Sequence, residues 1–75
     1  MNEPLAIRRF RRDYPQAARA VENAGWAIGM RASGHLVFSG PRGELVIGSS
    51  TPSDHRAMKN LLADLRRNGL EIGRG

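Results

Sequence analysis

The chain has no cysteine among its 75 residues. A disulfide framework and a thiolate zinc site are both excluded, and stability must come from packing or from association. Aromatic residues are few: one tryptophan, one tyrosine and two phenylalanines. No apolar run approaches the ~18 residues that cross a bilayer. The leading MNEPLAIRRFRR places acid and proline before its positive charges, the reverse of a signal peptide, so the expected setting is cytoplasmic with no membrane partner. Two histidines, far apart and without cysteine, make no zinc motif. There is no Walker-type phosphate loop, no GxGxxG and no serine-hydrolase elbow. The carboxylates Asp13, Glu22, Glu44, Asp54 and Asp64 each have a capping or solvation role that explains them, so the sequence points to neither a metal nor a cofactor. A chain this short buries only about 60% of its unfolded surface. It therefore holds one thin core, and any site lies on an open surface.

What is present in excess is positive charge. Twelve Lys and Arg against seven Asp and Glu give a formal charge of +5, and only one of those cations is lysine. Such an excess points to an anionic partner, nucleic acid first. Arginine grips phosphate through a planar two-pronged fork, where lysine offers a point charge. A solvated, arginine-biased surface is the plainer reading of the same count.

Along the chain, residues 1–12 read as a basic extension or a short helix starting at Pro4, with Arg8, Arg9, Arg11 and Arg12 clustered on it. This cluster is either an arm for nucleic-acid backbone or a solvated helix face. Residues 13–70 form the domain and 71–75 a tail. Asp13 to Ala24 is expected to be a helix capped by Asp13, with Ala17, Ala20, Val21 and Ala24 as its small-residue stripe and Gly25 as its C-terminal stop. Three strand candidates follow in WAIGMR, HLVFS and ELVIG, joined by the glycine-rich turns Ala32-Ser33-Gly34 and Gly40-Pro41-Arg42-Gly43. Alternation places Trp26, Ile28, Met30, Leu36, Phe38, Leu45 and Ile47 on one face and His35, Val37 and Val46 on the other. Trp26 can stack on a base, although its phase favours the core. A final helix is expected after Thr51 as cap, with Pro52 first and Asp54 third. Met58, Leu61, Leu62 and Leu65 make its apolar stripe, and Gly69 closes it before Leu70 folds back. The layout is α+β: helix, three-stranded antiparallel sheet, helix, with two helices packed on one face and room for an extra N-terminal helix. It is the α-β-β-β-α order of a double-stranded-RNA-binding-like (dsRBD-like) domain.

Histidine plus arginine is the chemistry left by these exclusions. RNA carries its own nucleophile, the 2′-hydroxyl, beside each phosphodiester. A histidine titrating near neutrality can move the proton while arginine steadies phosphate charge. His35 is the candidate catalytic residue. Arg31, Ser33, Gly34 and Arg42 lie on the turns around it, and His55, Arg56 and Lys59 lie near the start of the last helix as further phosphate contacts. The plainer alternatives are a half-exposed strand histidine for His35 and a polar first-turn residue for His55.

Ala24-Gly25-Trp26, then SGHLVF at Ser33–Phe38, an apolar strand and a closing helix ending in Asn68-Gly69-Leu70 resemble the HicA family. Its members are small mRNA interferase toxins of dsRBD-like fold, paired with HicB antitoxins. The segment TPSDHRAMKN is similar to actinobacterial and bacteriophage variants. The resemblance spans about residues 14–70 and implies that His35 is the catalytic histidine, with the His35-to-Phe38 spacing kept. It also implies metal-independent RNA cleavage and an antitoxin that covers the histidine. The family's glycine-serine order is exchanged here, as Ser33-Gly34. Two other classes fit the same residues: a non-catalytic nucleic-acid-binding module, and a protein-interaction module using the open sheet face. The oligomeric state is left between monomer and weak dimer.

Overall fold

The structure, a computed structural model, describes residues 3–48 and 54–72. The order is α1 (Leu5–Asp13), α2 (Pro15–Asn23), β1 (Ala27–Met30), β2 (Leu36–Ser39), β3 (Leu45–Gly48) and α3 (His55–Arg67). The three strands form one antiparallel sheet in the order β1-β2-β3. The fold is α+β, with helices on one face of an open sheet. None of the described helices is long and apolar enough to cross a membrane.

In the N-terminal segment, read as an extension or a short helix, Leu5–Asp13 is a helix that packs into the core. Ile7 and Phe10, one turn apart on α1, are buried. Phe10 stacks on Tyr14 at a ring separation of 5.7 Å and meets Phe38 of the sheet edge-on at 5.2 Å. Arg8, Arg9 and Arg12 point outward from the same helix. Asp13 does not cap α2, as the sequence led us to expect. It ends α1, where Arg12 Nε donates to its carboxylate at 3.0 Å. Pro15, which lacks an N–H and is preset for the first helical position, begins α2 behind Tyr14. Within the expected small-residue stripe Ala17 and Val21 are buried, but Ala24 is exposed and Ala18 is buried in its place. Arg11 ties the two helices together by ion pairs to Glu3 and Glu22.

Helices α2 and α3 end in the same way. Gly25 and Gly69 take φ of +83° and +95°. At each end two backbone bonds close the last turn: Gly25 N–H to Glu22 and Trp26 N–H to Val21, then Gly69 N–H to Arg66 and Leu70 N–H to Leu65. This is the Schellman arrangement, in which the residue after the glycine turns back onto the helix. Trp26 and Leu70 are accordingly buried. The chain stays in the core beyond Leu70, since Ile72 is also buried and its carbonyl accepts from Arg66 Nε at 3.2 Å. The expected tail at 71–75 thus begins as core.

Both hairpins use three-residue loops with glycine third. Arg31 N–H bonds to the His35 carbonyl across Ala32-Ser33-Gly34, and Gly40 N–H bonds to Glu44 across Pro41-Arg42-Gly43. Gly34 and Gly43 have φ of +90° and +87°, as such loops require. The second loop corrects the face assignment of β3. Gly40 belongs to the strand pairing instead of the turn, so Phe38 lies opposite Val46 and Val37 opposite Ile47. A shift of one residue exchanges the faces of a strand. Val46 is therefore buried, whereas Leu45 is 54% and Ile47 43% exposed. Trp26, Leu36 and Phe38 keep the expected inward face, but Ile28 is half-buried and Met30 is exposed on edge strand β1.

The last helix starts at His55, with Asp54 as its cap rather than its third residue. The Asp54 carboxylate accepts from Ala57 N–H at 3.2 Å. The proposed roles of Thr51 and Pro52 lie outside the described residues. Met58, Leu61 and Leu65 are buried, Leu62 is half-buried, and α3 packs against β3.

Candidate functional site

His35 immediately precedes β2, at the sheet end formed by the β1–β2 hairpin, and its side chain is exposed. Its position relative to Val37 directs it toward the uncovered face. Ser33 Oγ and His35 Nδ1 are hydrogen-bonded at 3.0 Å. When Nδ1 carries the proton it donates to the serine oxygen, and Nε2 presents its lone pair to solvent. The bond restrains the ring and leaves Nε2 out of the contact.

Arg31 faces His35 across the loop through the Arg31 N–H to His35 carbonyl bond. Directly opposed residues on paired strands project to the same side about 5 Å apart at Cβ. Ser33, Arg31 and His35 therefore lie together on one hairpin. Gly34 has the positive φ that the loop requires.

The structure does not bring Arg42 to this group. Arg42 lies on the β2–β3 loop at the opposite end of the sheet, about 17 Å away by strand rise alone. Its backbone N–H instead donates to the Glu44 carboxylate at 2.8 Å.

Helix α3 supplies the other wall of the site. A cleft of about 360 Å³ is lined by His35, Ile47 and Gly48 from the sheet and by Ala57, Asn60, Leu61 and Asp64 from α3. Residues 57, 60, 61 and 64 share one flank of the helix by their spacings of three and four. A Cβ on Gly48 would fall 2.7 Å from Leu61 Cδ2, so the missing side chain lets Leu61 press onto β3 and floor the cleft. Asp64 is ion-paired with Arg67 Nη1 at 2.8 Å.

His55, Lys59 and Leu62 lie on the opposite flank of α3, across the buried stripe, so the first two do not join His35. His55 faces the end of α1 and is one of the positive charges that hold the Asp13 carboxyl below its ordinary value, after the Arg12 hydrogen bond and charge and Arg9. Arg56 is exposed on α3 one turn before Asn60, outside the residues that line the cleft. Asn60 and Asp64 are the site residues that sequence reasoning missed. Their signal was present as two polar residues four apart, bordering the apolar stripe.

Positive charge is spread over the described surface rather than gathered at this cleft. Among the described residues Arg8 and Arg9 on α1, Arg31 and Arg42 on the loops, and Arg56 and Lys59 on α3 form no ion pairs. Phe10, Phe38 and Trp26 are buried, Trp26 beneath Gly40, and Tyr14 is half-buried against Phe10. The uncovered sheet face carries Gly29, Val37, Leu45 and Ile47 instead. No described group of three or more His, Asp or Glu residues is placed to hold a metal. A second hollow of about 380 Å³, between the C-terminal ends of α2 and α3, has Glu71 as the one titratable side chain among the described residues that line it.

Comparison with protein-family models finds no match, and no curated protein or solved structure matches the chain significantly.

Proposed function

We propose that this chain is a HicA-like ribonuclease acting on mRNA in the cytoplasm, with His35 as its acid–base residue on a dsRBD-like scaffold. The carrying observation is the exposed His35 imidazole, held through Nδ1 by Ser33 and paired across the hairpin with Arg31. In this reading Nε2 takes the proton of a ribose 2′-hydroxyl. The 2′-oxygen bonds to phosphorus and the bond from phosphorus to the 5′-oxygen breaks, giving a 2′,3′-cyclic phosphate. The departing 5′-oxygen is protonated by water, and Arg31 and Arg56 steady the phosphate charge. The reaction draws its nucleophile from RNA and needs no metal. A HicB-like antitoxin is the matching protein partner, its role being to cover His35.

The test is incubation of the purified chain with single-stranded mRNA in EDTA, with circular dichroism as a control on folding. Wild type cleaves and a folded His35→Ala variant does not; equal cleavage by both sinks the assignment. The unpaired cations favour a second reading, nucleic-acid binding without cleavage. Intact RNA together with steeply salt-dependent binding would establish it.

A further inference from the structure

Resting on the ribonuclease reading, we infer that the cleft between His35 and α3 receives the base of an unpaired nucleotide and prefers guanine. A base must be gripped somewhere near His35 if the adjoining phosphate is to reach the imidazole. Proteins commonly stack unpaired bases on exposed aromatic rings. That route is closed on the sheet, because Phe10, Phe38 and Trp26 are buried. The cleft offers the alternative chemistry. Its floor is aliphatic, from Ile47 and Leu61, and its α3 wall presents the Asn60 carboxamide and the Asp64 carboxylate one turn apart. A flat apolar face with hydrogen-bonding groups along its edge is the shape of a nucleobase. Its volume of about 360 Å³ lies at the small end of ligand sites.

The carboxylate decides between bases. Asp64 accepts hydrogen bonds only, and its ion pair with Arg67 leaves further lone pairs free. Guanine presents two adjacent donors, N1–H and the N2 amino group, to such a pair of oxygens. Adenine, cytosine and uracil each place an acceptor beside their donor on that edge. Arg67 also offsets the repulsion that a bare carboxylate would exert on the neighbouring phosphate. A base can enter only when it is out of its stack, so the site selects single-stranded RNA.

The experiment titrates the four nucleoside 3′-monophosphates into the wild-type chain, followed by amide NMR at Gly48, Ala57, Asp64 and the Asn60 side chain. Guanosine 3′-monophosphate should bind about tenfold more tightly than the adenosine compound, the order expected of one bidentate base-edge contact. Asp64→Asn should abolish the preference and Asn60→Ala should weaken all four. Arg67→Ala removes the ion pair but keeps the carboxylate, and should retain the preference. Equal affinity for the four, shifts confined to α1 or the open sheet face, or an unchanged preference in Asp64→Asn overturns the proposal. The titration breaks no bond, so the two readings separate. Guanine-selective binding here without RNA cleavage upholds the cleft and overturns the nuclease; cleavage without selective binding does the reverse.

Discussion

Replacing Phe10 by alanine tests whether α1 is structural. The side chain is fully buried, and it meets Tyr14 and Phe38 at ring separations of 5.7 and 5.2 Å. Phe→Ala changes at such sites cost about 3–5 kcal/mol, from lost transfer energy and the cavity left behind. Total stability at roughly 0.05–0.15 kcal/mol per residue comes to about 4–11 kcal/mol for a chain of this length. The substitution therefore removes roughly a quarter or more of the stability, and at the low end of the range it unfolds the protein. Leu5, on the same helix, is 58% exposed, and Leu5→Ala should stay within about 0.5 kcal/mol. Urea unfolding followed by circular dichroism measures both. With a slope near 1–3 kcal/mol per molar, Phe10→Ala should lower the midpoint by about 1 M or more. Equal midpoints for Phe10→Ala and Leu5→Ala would refute the reasoning and return residues 1–12 to the status of an appended arm.

Two more tests follow from the structure. Val46→Asp should abolish cooperative folding, because it buries an unpaired charge. Ile47→Asp, on the uncovered face, should shift stability by about 0.5 kcal/mol or less, and thermal melts that rank the two the other way would show β3 in the opposite phase. Asp13 concerns acid stability: its carboxyl is lowered first by the Arg12 hydrogen bond, so it stabilises the fold above the unfolded value near 3.9 and loses that contribution as pH falls through the lowered folded value. The stability difference between wild type and Asp13→Asn should therefore be constant above about pH 5 and vanish in stronger acid; a difference that grew on acidification would contradict the pairing with Arg12.

Local chemistry in the sequence was enough to place most of the elements. Helix α3 shows its apolar stripe at Met58, Leu61 and Leu65 because helical spacing is local. Gly25 and Gly69 mark helix ends because a positive φ is easiest for glycine. Alternation placed Leu36 and Phe38 inside and His35 outward, and the resulting position of Ser33, Arg31 and His35 on one hairpin needs no distant contact. The start of α3 was misplaced because Asp54 and Thr51 are both good caps, and local propensity does not choose between them.

Tertiary structure decided the rest. The face of β3 turned on whether Gly40 pairs with Glu44, a question of register that alternation alone cannot answer. The value of α1 depended on Phe10 meeting Phe38, residues 28 positions apart. The candidate site followed the same rule. Arg42 is near His35 in sequence, but a strand lies between them and carries it to the far end of the sheet. Asn60 and Asp64 are remote in sequence, yet the packing of α3 on β3 brings them to the cleft beside His35. Sequence separation measures distance along the chain, whereas a site is made by whatever the core folds together.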